Sequence, residues 1–240
     1  MTTARRLIVV TLAAALAGCA ADTDNPPDDA APSSSAPPAC VEEKDVLTLV
    51  DDGFTLYDDP DNDSWDINYA AVFEAANGAA IAHSTVEIRW YNADGDQLAL
   101  YGYDVPSDYD REVTGLSRVG EDGRHAVTGT MMLDEPADSV EYTVTGSCVG
   151  EAPVGPTVAE AEWTQDGDTA TLDTTFTETL SDKETVTVVL RNADGSIVGG
   201  TNVTVDVGDL LRDTESTYRA DVKLSPPGMR AVEVEVFPLQ

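Results

Sequence analysis

Two identical tetrapeptides, Asn92-Ala93-Asp94-Gly95 and Asn192-Ala193-Asp194-Gly195, stand one hundred residues apart, each between runs of alternating apolar residues. A turn repeated together with its flanks means that the chain carries two copies of one supersecondary unit. Asn-x-Asp-Gly suits a type I turn whose glycine takes the left-handed conformation of a G1 bulge, and such a turn closes a β-hairpin. This geometry pairs Asn92 with Asp96, after which Trp90 is expected to face Leu98 and Ile88 to face Leu100. One side of the hairpin is then wholly apolar, as a core-facing surface must be. In the second copy the same count sets Leu190 opposite Val198 and Val188 opposite Gly200. Gly199-Gly200 is expected to insert a bulge that changes the phase of Val203, Val205 and Val207.

The flanks extend the match. Phe73 corresponds to Phe176 before the hairpin, Leu133 precedes Asp-Glu-Pro-Ala, and Leu224 precedes Ser-Pro-Pro-Gly. First strands are expected at 46–57 and 158–163, and last strands at 140–148 and 231–237. With five or six strands per copy and no segment of helical period, the chain reads as all-β: two tandem small immunoglobulin-like β-sandwich domains, at 40–150 and 157–240. The Pro/Gly-rich join at 151–156 suggests a semi-rigid rod.

The segments Ile88-Arg89-Trp90-Tyr91-Asn92-Ala93-Asp94-Gly95 and Val188-Val189-Leu190-Arg191-Asn192-Ala193-Asp194-Gly195 resemble the FxLYD-type domain. This is a small bacterial β module often found in lipoproteins, whose motif runs Phe-x-Leu-Tyr-Asp-x-x-Gly into the turn. Neither copy has the Phe, and Asn replaces the Asp, so the resemblance covers the hairpin and its flanks. It implies a fold and a place in the envelope, with no catalytic residues to carry over.

The amino terminus agrees with that place. Arg5-Arg6 precedes an apolar stretch from Leu7 to Leu16, too short for the roughly 20 residues of a spanning helix and suited to a secretory signal at 1–18. Leu16-Ala17-Gly18-Cys19 resembles the lipobox of bacterial lipoproteins, which implies cleavage before Cys19 and its lipidation, palmitate being one of the acyl groups such a cysteine carries. The two acyl chains of one diacylglycerol anchor a protein stably where a single chain does not. The minimal Arg-Arg pair leaves the export route open. Residues 20–39 hold five prolines, four aspartates and three serines with no large apolar side chain, the composition of a disordered tether. The expected location is the extracytoplasmic face of a cell membrane, with the lipid on Cys19 as the membrane contact.

Composition narrows the partners. The chain has 45 Asp and Glu against 13 Lys and Arg, a net charge of −32. That balance excludes a nucleic-acid partner and a mode of membrane binding that depends on headgroup charge. Residues 40–150 carry 24 acids and 5 bases, and 151–240 carry 17 and 6, so a basic partner would meet the first module.

Apart from Cys19, the cysteines are Cys40 and Cys148, one at each end of the first module. That is the arithmetic of one disulfide in an exported protein, with two free thiols or a metal pair as the other readings. His83 and His125 accompany no serine or zinc motif, so the chain is expected to be non-catalytic. Within Asp58-Asp59-Pro60-Asp61-Asn62-Asp63-Ser64, the residues Asp59, Asp61 and Asp63 alternate as in the first half of a Ca²⁺ loop. Ser64 in place of the glycine and Ala70 at the twelfth position exclude an EF-hand, leaving a looser Ca²⁺ cage or a solvated turn. The hairpin register sets Arg89, Tyr91, Tyr101 and Tyr103 on the face opposite Trp90, with Glu87. Tyrosines exposed on a strand suit recognition of a protein or carbohydrate ligand, and rings packed on a neighbouring strand are the alternative. The second copy carries Arg191, Thr187 and Thr201 at the corresponding sites. The expected function is a non-catalytic surface interaction or spacer module, the alternative being a Ca²⁺-dependent binding module.

Overall fold

A computed structural model of the chain describes residues 41–43, 46–76, 81–100, 109–113, 123–149, 157–177, 184–205 and 217–239. The signal, Cys19, the tether, Cys40, the 151–156 join, Tyr101, Tyr103 and Val207 lie outside the described residues. The strands are β1 (Val41–Glu43), β2 (Leu47–Asp59), β3 (Ser64–Ala75), β4 (Ile81–Tyr91), β5 (Tyr109–Val113), β6 (Arg124–Leu133) and β7 (Ser139–Val149) in the first module. The second module has β8 (Val158–Asp166), β9 (Thr169–Phe176), β10 (Glu184–Arg191), β11 (Ile197–Val205), β12 (Thr217–Lys223) and β13 (Glu233–Leu239). No described residue lies in an α-helix.

The repeat holds at the level of topology. Sheets ordered β2-β3-β6 and β12-β9-β8 correspond strand for strand, as do the antiparallel pairs β4-β7 and β10-β13. Each module is a two-sheet sandwich whose core comes from inward-facing alternate residues. In the first, Val86, Ile88 and Trp90 meet Ile67, Tyr69 and Phe73; in the second, Val186, Val188 and Leu190 meet Leu172, Phe176 and Tyr218.

The two turns share one geometry. The Gly95 N–H donates to the Asn92 carbonyl at 3.0 Å, the Asn92 N–H donates to the Asp96 carbonyl at 3.0 Å, and Gly95 sits at φ +83°. The second copy repeats both bonds at 3.0 Å, with Gly195 at φ +87°. Asparagine is suited to the first position because its Oδ1 accepts two further backbone N–H groups, Asp94 and Asp96 in one copy and Asp194 and Ser196 in the other. An added Cβ would meet no atom within 4 Å at either glycine, so substitution there is a test of backbone conformation alone. Gly95→Ala and Gly195→Ala are each expected to cost about 1–2 kcal/mol, by equal amounts, in urea denaturation.

Beyond the turns the register departs from the simple count. Leu98 does stand across from Trp90, its N–H donating to the Trp90 carbonyl at 2.8 Å. Leu100, however, does not face Ile88: it bridges Leu133 at the end of β6, and Tyr109 of β5 takes the place beside Ile88. The chain crosses between sheets here because Leu98 and Leu133 then join Trp90 in the core. In the second copy Leu190 pairs with Gly199 and Val188 with Thr201, one residue beyond the expected partners. The bulge falls at Val198, and the resulting phase buries Val203 and Val205.

The modules do not form a rod. The face of β3 and β6 that points away from the first core packs on the corresponding face of β10, β11 and β13, burying Ala70, Val72, Ala126, Val189, Ile197 and Phe237 together. Both modules therefore belong to one unit, Ala36–Gln240, as a stack of four sheets. Small residues allow the close approach: a Cβ on Gly53 would collide with the Ile197 carbonyl, and one on Gly200 with the Thr128 side chain. At the centre Asn68, 2% exposed, accepts the Gly200 N–H at 2.6 Å and donates to the Ser225 carbonyl at 2.6 Å. The Thr55 hydroxyl donates to the Val198 carbonyl, so the bulge that offsets β11 is also a contact with the first module. Arg191 completes the junction, pairing with Asp51 at 2.6 Å and with Glu235 at 3.1 Å, while Arg124 reaches the same Glu235.

Candidate functional site

Stacking makes the two copies unequal. The side of β10 that carries Thr187 and Arg191 is turned into the junction: Thr187 is 2% exposed and bonds Asn202, and Arg191 is held by Asp51 and Glu235. The equivalent side of β4 in the first module carries Glu87, Arg89 and Tyr91 on the outermost sheet. Arg89 and Tyr91, both named from the sequence, are neighbours there.

Residues directly opposite on β7 complete the surface. Arg89 stands across from Glu141 and Tyr91 across from Ser139, and Asp110 of β5 holds the register position beside Glu87. Arg89 forms an ion pair with Glu87, whose side chain is 10% exposed, and the Tyr91 hydroxyl donates to Glu141 Oε2 at 2.8 Å. That bond to Glu141 is the main reason the Tyr91 phenol is held above its ordinary pKa, the carboxylate favouring the protonated hydroxyl that donates to it. The result is a row of one guanidinium, one phenol and two carboxylates. It can offer hydrogen bonds in both senses and attract a cationic group. Glu141 was not singled out in the sequence, where nothing local marks it; its role follows from register with Arg89.

The other outward sheet, β12-β9-β8, displays Thr169, Thr171, Asp173 and Thr175 along β9. Arg219 spans Asp173 with two bonds of 2.7 and 2.9 Å. A shallow depression of about 450 Å³ lies there against Thr164, Asp166, Thr171, Asp221 and Lys223, without an aromatic ring among its lining residues. The face of β4 has the ring, and it is the better recognition surface.

The acidic turn has a different geometry from the one expected. Asp59, Asp61 and Asp63 do not converge: Asp59 Oδ1 accepts the Asp61 N–H at 3.1 Å and its Oδ2 accepts Asn62 Nδ2 at 2.7 Å, so the carboxylate closes the β2–β3 turn. Among the described residues no three His, Cys, Asp or Glu side chains are grouped so as to hold a metal ion. Further down the hairpin, desolvation and the nearby Asp59 charge raise the pKa of Asp66. His125 is 3% exposed on β6, opposite Phe73, and His83 stands opposite Cys148 in the ladder of β4 and β7. Compared with family models, with curated protein sequences and with solved structures, the chain matches none.

Proposed function

We propose that the protein is a lipid-anchored, exported, non-catalytic interaction module, held at the membrane by Cys19 and binding a protein or carbohydrate ligand through Arg89, Tyr91 and Glu141. The observation that carries this reading is the inequality of the two copies. One β4-type face is buried by stacking, and its counterpart on the outermost sheet bears an aromatic ring between charged groups. Stacking also supports a stiff head, which presents that face in one orientation and lowers the entropy lost on binding. Leu16-Ala17-Gly18-Cys19 and the Pro-rich tether support the anchor.

A Cys40–Cys148 disulfide belongs to this reading: β1, which starts one residue after Cys40, pairs with the strand that carries Cys148, the residue directly opposite Cys148 being Glu42. Closing a loop of that length is worth up to about 4.7 kcal/mol in the chain-entropy model, and it would staple the tether to the binding module.

A photoreactive side chain in place of Tyr91 on intact cells, with a control at Arg219 on the opposite outer sheet, tests the binding face. A discrete crosslinked product from position 91 alone is expected. Equal products from both positions, or none from 91, would count against a ligand on this face. In the same cells Cys19→Ala should move the protein from the membrane to the soluble fraction.

A further inference from the structure

We propose that Asp59, Ser64 and Asp66 form a binding site for a hard divalent cation of the Ca²⁺ class at the turn end of the β2–β3 hairpin. The inference starts from Ser64. Its side chain is 1% exposed, yet its Oγ has no hydrogen-bond partner among the described residues, and Asp66 Oδ1 is buried in the same condition. Buried oxygens are normally satisfied, and two such orphans two residues apart on one strand call for a shared partner.

Register brings a third oxygen donor to them. Ile67, Tyr69 and Phe73 face the first core, and Ala70 and Val72 face the second module, so the even-numbered Ser64 and Asp66 lie on the same side of β3 as Asn68. Asp59 pairs directly with Ser64, and directly opposed residues share a face. Asp66 pairs with Tyr57, so Asp59, two residues further along β2, is its diagonal neighbour on that face. The Asp59 oxygens accept from Asp61 and Asn62, which leaves lone pairs for a cation.

The donor set decides the cation. Two carboxylates and a hydroxyl are hard oxygen ligands, with no nitrogen or sulfur to favour zinc or copper. Three side chains leave several positions for water, as in extracellular Ca²⁺ modules with affinities of about 10⁻⁴ to 10⁻³ M. Asp61 and Asp63, at the exposed apex, are not ligands in this arrangement, which replaces the alternating set read from the sequence.

Terbium(III), a luminescent stand-in for Ca²⁺, reports on the site because Trp65 lies between the two proposed ligands Ser64 and Asp66 and can sensitise its emission. The full chain should give a saturable signal in high salt, where diffuse binding to the other carboxylates is screened. Ca²⁺ should displace it, and both Ser64→Ala and Asp66→Asn should weaken it by roughly tenfold or more, with Asp61→Asn unchanged. Ca²⁺ should also raise the melting temperature of the native chain and leave that of Asp66→Asn unmoved. Asp66→Asn removes a half-buried charge, so it should melt no lower than the native protein without metal. A lost signal is then distinguishable from a lost fold. A signal that never saturates, or one abolished by Asp61→Asn and retained by Asp66→Asn, overturns the assignment.

Discussion

Replacing Asn68 with alanine is expected to destabilise the chain by about 2–6 kcal/mol, a large effect for one amide on a strand. The amide makes two bonds of 2.6 Å across the junction, to the Gly200 N–H and the Ser225 carbonyl, and it is 2% exposed. Alanine leaves both backbone groups without a partner in a site closed to bulk water, and each such loss costs about 1–3 kcal/mol. Asn68→Asp keeps the acceptor, removes the donor and adds a buried negative charge, so it should be no milder. Urea denaturation followed by fluorine NMR of fluorotryptophan-labelled protein, in which Trp65 reports on the first module and Trp163 on the second while Trp90 stays in place, measures the effect. Both midpoints should fall. A loss below about 0.5 kcal/mol would mean that the junction is held by its apolar contacts and that Asn68 is incidental.

The join at 151–156 has the composition of a rod linker, yet the modules stack, because the contacts that stack them are not local in sequence. The turns were legible because every bond in them is local: asparagine, aspartate and glycine at fixed offsets suffice to close them. The two core faces were legible because alternation at Ile88 and Trp90 has period two. Yet the segment Ile67-Asn68-Tyr69-Ala70-Ala71-Val72-Phe73 does not alternate, and neither does Val188-Val189-Leu190. Continuous apolar runs are the mark of strands buried on both sides, and β3 and β10 are the two strands at the centre of the four-sheet stack. That signal was present in the sequence. Its partner was not, since nothing near Asn68 announces a contact with Gly200, 132 positions away. The crossing of the chain at Leu100 was hidden for the same reason: Gln97 to Leu100 has the alternation of a hairpin strand, and only the proximity of Leu133 draws it to the other sheet. In the candidate face, Arg89 and Tyr91 were legible as the outward side of β4, and Glu141 was not, because its relation to them is one of register across strands far apart in sequence.

Trp90→Ala is expected to cost about 3–5 kcal/mol, and its reach across the molecule matters more than its size. Trp90 is 2% exposed and packs edge-on against Phe54 at 5.2 Å and Tyr69 at 5.6 Å, while Tyr69 continues to Tyr142 at 6.5 Å. Such aromatic pairs add about 0.5–1.5 kcal/mol each beyond the area they bury. Tyr69 also adjoins Asn68, so one turn of the strand pleat carries the first module's core on one side and its hold on the second module on the other. If the modules fold as independent beads, Trp90→Ala shifts only the transition seen in the first module, and Trp163 in the second melts where it did before. If the junction is a real energetic tie, the second module loses its partner face once the first unfolds, and the Trp163 midpoint must fall as well. The second outcome is expected, because β10 has side chains buried on both faces and would expose Val189 and Thr187 on separation. Combining Trp90→Ala with Asn68→Ala then gives a double-mutant cycle. With the first module already open at the midpoint, the Asn68 substitution should have little further effect on Trp163, and this non-additivity measures the strength with which the head is held as one body.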